Sequence, residues 1–389
     1  PNLINKEGLP AGPFRTRRRE STGRPLGGQG LLKRMPNEAM PDKYLRFKAD
    51  PVKRAESQSF HRDRTAPDWR QAMPIGNGDF GAAVHGYPDN LTFHIGKNDL
   101  SWDNQDKNQG YPSTKFAELR KRLKAGEEAE LKKEIDAMAK EAPCLPVETN
   151  AGKFRLKLHE SATFHSVREK LDLANGIASI RYVAELGGGP QSQAFVTVES
   201  FVSREDEVMV VHAQARNADA TLGVVRLEFY RGATEIMKGS PIFQGMSLQE
   251  IDSTYQPKPH VENDLVWFEM ALKGGDAYGP DEYIMMMGCD SGKFQAGALG
   301  PDIYGRFRPD AGPVTFYITV VSNNDIRGPW ADPRIKGQEM LNVAKARIRA
   351  ALDKGYEAVR KSHTDWWNNY WRRGWVAMPD ANDEHPWYW

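Results

Sequence analysis

The apolar positions of this chain recur mostly with a period of two. Phe154, Leu156 and Leu158 fall on one side of an extended run, and Ala178, Ile180, Tyr182, Ala184 and Leu186 repeat the pattern up to Gly187-Gly188-Gly189-Pro190. Successive side chains of a strand point to opposite faces, so this spacing predicts strands with one face on a core. Runs at 78–86, 91–96, 194–202, 207–215, 222–230, 265–272, 282–287 and 314–321 are read the same way. The first two are joined by Tyr87-Pro88-Asp89-Asn90, whose residues suit a tight turn, which predicts a hairpin. Many short strands between Gly, Pro, Asn and Asp clusters predict a mainly β protein, built as two packed antiparallel sheets.

Two segments switch to helical spacing. Between residues 113 and 140, Ser113 or Thr114 can cap a helix whose face carries Phe116, Leu119 and Leu123; Gly126 then breaks it before a second helix. From about 337 to 373 the period is helical again, interrupted at Gly355, with Ala344, Ile348, Ala351 and Leu352 on one stripe. His363, Trp367, Tyr370 and Trp371 share a face of the second half. Six of the ten Trp lie in the last 24 residues. So large an aromatic surface predicts a partner, either a further helical domain or another copy of the chain.

The expected division is therefore an extended basic arm over 1–62, a β domain over 63–325 with a helix pair at 113–140, and a helical segment over 326–389. The formal net charge of +1 hides an asymmetry, because residues 1–70 carry 16 Lys/Arg against 8 Asp/Glu. Arg15, Arg17, Arg18 and Arg19 lack interleaved aromatic residues, so a solvated arm is expected there and not a nucleic-acid surface. No run of 18 apolar residues exists, and no membrane span is expected. Cys144 and Cys289 supply neither a metal knuckle nor a disulfide scaffold.

Chemistry-bearing residues are sparse. The nine His include no HExxH pattern, so no zinc site is expected. His85 and His94 lie in the hairpin and can face each other, as a hydrogen-bonded structural pair. The acidic run from Asp99 through Asp103 lacks the glycine and terminal glutamate of a calcium loop, so neither metal nor cofactor is expected. Gly76-Asn77-Gly78 is not a phosphate loop, since no helix with a lysine comes after it; its glycines suit a positive-φ turn entering a strand.

Four segments together resemble family 95 glycoside hydrolases of the α-L-fucosidase type, whose N-terminal domain is related to that of family 65. They are 72–82 followed by Ile95-Gly96-Lys97-Asn98-Asp99-Leu100-Ser101-Trp102, the helix pair at 116–138, Val167-Arg168-Glu169-Lys170-Leu171-Asp172-Leu173 with Glu199-Ser200-Phe201-Val202-Ser203, and 356–380 with His363, Trp366, Trp367 and Trp371. The resemblance implies an antiparallel β-supersandwich, a linker helix and the start of an (α/α)6 barrel that would continue past Trp389. It also implies a secreted or periplasmic enzyme acting on complex polysaccharide, with its catalytic residues in the barrel and none in this chain. A carbohydrate-binding module and a family 65-like phosphorylase are the competing readings. Within the chain, Asn98, Asp99, Trp102 and Asp103 are expected to contact sugar: a flat apolar ring beside amides and carboxylates, on a loop at a strand end, stacks on and hydrogen-bonds a sugar. An anchor of the loop is the plain alternative for Trp102.

Overall fold

The computed structural model describes residues 50–102, 116–133, 147–158, 163–185, 193–216, 223–228, 258–271, 282–290, 294–299, 302–307, 312–327 and 338–373. Helix α1 (Pro51–Ser57) opens it; the Asp50 carboxylate caps it by accepting the Val52 N–H at 2.9 Å. Then come β1 (Phe60–Arg62), a single 3₁₀ turn (Trp69–Gln71), β2 (Met73–Gly76), β3 (Phe80–His85) and β4 (Leu91–Trp102). Helix α2 (Phe116–Lys124) is followed by β5 (Val147–Leu158), β6 (Thr163–Asp172), β7 (Ile177–Glu185), β8 (Gln193–Val202), β9 (Met209–Arg216) and β10 (Gly223–Glu228). The last strands are β11 (Lys258–Glu262), β12 (Leu265–Ala271), β13 (Glu282–Cys289), β14 (Gln295–Leu299), β15 (Asp302–Phe307) and β16 (Val314–Ser322). Helices α3 (Asn324–Arg327), α4 (Gln338–Lys354) and α5 (Tyr356–Trp371) close the described chain.

Among the described residues the strands form two sheets. The larger has nine strands in the order β1-β6-β7-β8-β9-β16-β13-β12-β11, the smaller seven in the order β14-β15-β10-β5-β4-β3-β2. All pairings are antiparallel. The inward residues of both sheets, including Phe93, Ile95, Phe154, Leu156, Val196, Phe268, Met285 and Phe316, make one continuous core between the layers. The mainly β, two-sheet architecture is thus the one the period of two predicts.

A second core lies on the outer face of the larger sheet. Met340, Ala344, Ile348 and Ala351 of α4 and Val359 of α5 pack on Phe201, Val210, Leu265, Met286, Tyr317 and Val321. The middle strands are therefore covered on both faces, and β16, Val-Thr-Phe-Tyr-Ile-Thr-Val-Val-Ser, is buried throughout. Its near-continuous apolar run has this cause. At Gly288 the contact is close: a Cβ there would overlap Ile348 Cγ2.

Several expectations need correction. Residues 51–62, read as the end of an extended arm, form α1 and β1. The Arg62 guanidinium holds β1 to β6 by pairing with buried Glu169, whose carboxylate accepts from Arg62 Nε at 2.8 Å. The aromatic face of α5 does not stand free. His363 is 1% exposed and stacked on Phe201 at 4.4 Å, while Trp371 Nε1 donates to Leu173 O at 2.8 Å. Trp367 covers Gly176, where its ring occupies the space a Cβ would need and where φ is +63°. Only Tyr370, 47% exposed, remains strongly open on that face. In the helix pair, Gly126 does break the first helix, at φ +87°, and 128–133 resume it, but Leu123 is exposed and Leu131 buried. The expected caps Ser113 and Thr114 and the segment past Arg373 lie outside the described residues. No helix among the described residues is long and apolar enough to cross a membrane.

Candidate functional site

The hairpin that leads to the candidate site forms as expected. β3 pairs with β4 from Phe80↔Lys97 to His85↔Thr92, and the turn closes with Asn90 N–H donating to Tyr87 O at 2.8 Å. Its entry is fixed by Asn77, whose Oδ1 accepts from the N–H groups of Asp79 (2.9 Å) and Phe80 (3.0 Å) while Gly78 takes φ +88°. The same side chain reaches the other sheet, donating from Nδ2 to Ser203 O at 3.0 Å. The Gly-Asn-Gly motif is thus a turn that stitches the layers together. His85 and His94 do meet, ring centroids 4.7 Å apart, but edge to face and not as a hydrogen-bonded pair. Burial, with nearby Lys153, lowers the pKa of both, that of His94 to about 3.

Beyond Ile95 the inward face of β4 carries a lysine. Lys97 has no exposed side-chain surface and points its ammonium at Asp79 Oδ1 (2.8 Å), Asp325 Oδ1 (2.8 Å) and Asp99 Oδ1 (3.5 Å). Asp325, in α3, also accepts the Ser322 N–H at 3.1 Å and lies 3.6 Å from Arg347 Nη1 of α4. Arg347 Nη2 in turn pairs with Glu207 at 2.8 Å. Two cations and four carboxylates meet where the ends of both sheets, α3 and α4 converge. Burial pushes the Asp325 carboxyl up to about 6 against the pull of Lys97, with Asp99 and Asp79 adding to the rise. Lys97 is held above the ordinary lysine range: burial alone would lower it, but Asp325, Asp99 and Asp79 outweigh that cost.

The structure treats the four residues expected to touch sugar differently. Asn98 is exposed; its N–H donates to Asp79 O at 2.9 Å and its Nδ2 to Gly78 O at 3.0 Å. Asp99 is partly turned inward, accepting from Ser322 Oγ at 2.5 Å beside Lys97. Trp102 ends β4 with its Cα opposite Val147. Its side chain, and all of Asp103, lie outside the described residues. The structure therefore unites Asn98 and Asp99 with residues that sequence reading passed over: Lys97, Asp79, Ser322 and Asp325. One signal was available, since Phe93, Ile95 and Lys97 share a parity, and a lysine at an inward position demands an acid. Nothing in the sequence says which acid. Among the described residues, no group of His, Cys, Asp and Glu is arranged to hold a metal ion.

Comparison with known proteins gives the frame for this geometry. Residues 61–246 match the family model described as glycosyl hydrolase family 65, N-terminal domain. The match starts in β1 and runs past β10, so it contains the hairpin, the end of β4 and the β5–β9 strands. It supports a carbohydrate-active enzyme domain of the family 65 N-terminal kind. Family 95 in particular is not what it names. No curated protein matches. A solved structure described as a kojibiose phosphorylase from human microbiome aligns with a TM-score of 0.47 at 10% identity, over 80% of this chain and 37% of that one. The chain thus spans little more than a third of that protein's length.

Proposed function

We propose that this chain is the β part of an enzyme that cleaves glycosidic bonds, that it lends the end of β4 to the sugar site, and that the acid and base residues lie outside it. The match of residues 61–246 to a glycosidase N-terminal domain carries the reading. The state of the acids supports it. Glycoside hydrolysis needs two carboxyl groups facing each other across the scissile bond. Asp79, Asp99 and Asp325 are instead turned onto Lys97, and Glu207 onto Arg347. Asn98, between Lys97 and Asp99 of this cluster, and Trp102, at the strand end, would face the carbohydrate together with Asp103. Their partner would be a helical catalytic domain seated beside α4 and α5.

The finer reading is hydrolysis of a complex polysaccharide outside the cytoplasm, as the resemblance to family 95 implies, with α-L-fucosides as first candidates. The family 65 match favours a second: phosphorolysis or hydrolysis of another sugar. Aryl α-L-fucosides and glucose disaccharides, each with and without phosphate, should be incubated with the chain and with the full product of its gene. The chain alone should release nothing, and the full product should release sugar, with phosphate dependence separating the two chemistries. Release by the chain itself, abolished by a substitution within 61–246, would overturn the proposal, as would an inactive full product. In an active full product, Trp102→Ala should raise KM several-fold at an unchanged melting temperature. Lost stability with normal kinetics would make Trp102 an anchor.

A further inference from the structure

We infer that Lys97 is a positioning residue: its buried ammonium fixes the bulged segment 97–100 and so sets where the end of β4 stands. The functional consequence rests on the reading of that strand end as part of a sugar site; the geometry does not.

The pairing of β4 with β5 passes from Gly96↔Asn150 to Ser101↔Glu148, so four residues of β4 face Thr149 alone. Residues left out of a ladder bend a strand and re-aim the side chains after them. Here they are held by contacts to other segments. Asn98 is tied through its N–H and its amide to Asp79 O and Gly78 O in the turn before β3. Asp99 is tied to Ser322 at the end of β16, and Leu100 is fully buried. Lys97 joins all of these, because its three carboxylates come from the turn (Asp79), the bulge itself (Asp99) and α3 (Asp325).

Without the ammonium, Asp79 and Asp99 face one another and Asp325; among the described residues the other cation paired with Asp325 is Arg347, which is already paired with Glu207. Like charges in a confined, partly dry site repel, and Asp99 is the member that can leave, since it sits on the bulge. The bulge would then lose its tie to β16. A single buried lysine thus stands between the two sheets and the direction of residues 101–102.

The test is peptide-resolved hydrogen exchange on the full chain, comparing the parent with Lys97→Met and Lys97→Arg. In Lys97→Met the amides of 98–102 should exchange ~10-fold or more faster while those of β7 stay unchanged. Lys97→Arg should restore part of the protection. Unchanged exchange over 98–102 in a folded Lys97→Met chain would overturn the inference. Should Lys97→Met fail to fold, Asp79→Asn keeps Lys97 paired with Asp325 and Asp99. It should still speed exchange over 98–102 by a few-fold; no change there would equally overturn the inference. In the full gene product, faster exchange with an unaltered KM would leave Lys97 as the positioning residue and remove only the strand end from the sugar site.

Discussion

Asp325 shows how burial can turn an ion pair into a liability. An aspartate in an unfolded chain titrates near 3.9, whereas burial raises Asp325 to about 6 in the fold, in spite of Lys97. The folded chain therefore binds the proton more tightly. Its stabilising effect is complete below about pH 4 and is lost as pH rises through about 6. Asparagine has the same shape and carries no charge to desolvate, but its single amide oxygen can keep only one of the two bonds that Asp325 accepts on separate oxygens, from Lys97 on Oδ1 and from the Ser322 N–H on Oδ2. Lys97 would keep Asp79 and Asp99 as counter-ions. Asp325→Asn should thus remove the fall in stability between about pH 4 and 6, while the lost hydrogen bond lowers stability equally at every pH. Urea unfolding at a series of pH values checks this. A variant whose stability still falls between about pH 4 and 6 as steeply as the parent's would assign that titration to another group.

At the scale of elements, α5 is docked by a neutral histidine. His363 sits under the helix with Nε2 3.2 Å from Gly176 O, which makes that nitrogen the donor, and its ring on Phe201. Burial lowers its pKa to about 4, against the smaller opposing pull of the Gly176 carbonyl. The sign is opposite to that of Asp325. The unfolded chain takes up the proton first, near pH 6.5, so the contribution of His363 is present above that value and is lost as pH falls toward 4. Trp367 and Trp371 pack on the same turn after β6. Loosening of α5 on acidification should therefore appear as a shift in tryptophan emission. His363→Phe, which keeps the stacking and cannot charge, should move that transition to lower pH by about one unit or more. An unmoved transition would assign the acid sensitivity elsewhere. Sequence spacing placed His363, Trp367 and Trp371 on one face correctly, yet it could not say that this face lies on the β6–β7 turn, because that contact joins residues far apart in the chain.

At the scale of the molecule, the matched segment and the folded unit differ. Residues 61–246 end after β10, but β9 takes β16 as its neighbour and β10 takes β15. A cut there opens an edge in each sheet and uncovers apolar strands on both faces. Residues 61–246 alone should fail to unfold cooperatively in circular dichroism and should self-associate, whereas residues 50–373 should give a single sharp transition. A monomeric, cooperatively folded 61–246 fragment would show that the late strands are an addition to the domain and not part of it.

What the sequence determined by itself is the local and periodic part. The two-residue period yields the strands with apolar faces, and Tyr87-Pro88-Asp89-Asn90 the hairpin. The Gly-Asn-Gly turn and the break at Gly355 come from backbone freedom. The edge strands β1, β11 and β14 went unread because their residues are largely exposed or small, and an edge needs no apolar alternation. Tertiary structure alone decided three things: that α4 and α5 cover the outer face of the larger sheet, that β16 lies beside β9, and that Lys97 meets Asp79, Asp99 and Asp325. Periodicity reports which way a side chain points relative to its own strand. It carries no record of what waits at the other end, and a charge pair separated by 228 residues, as Lys97 and Asp325 are, leaves no local trace.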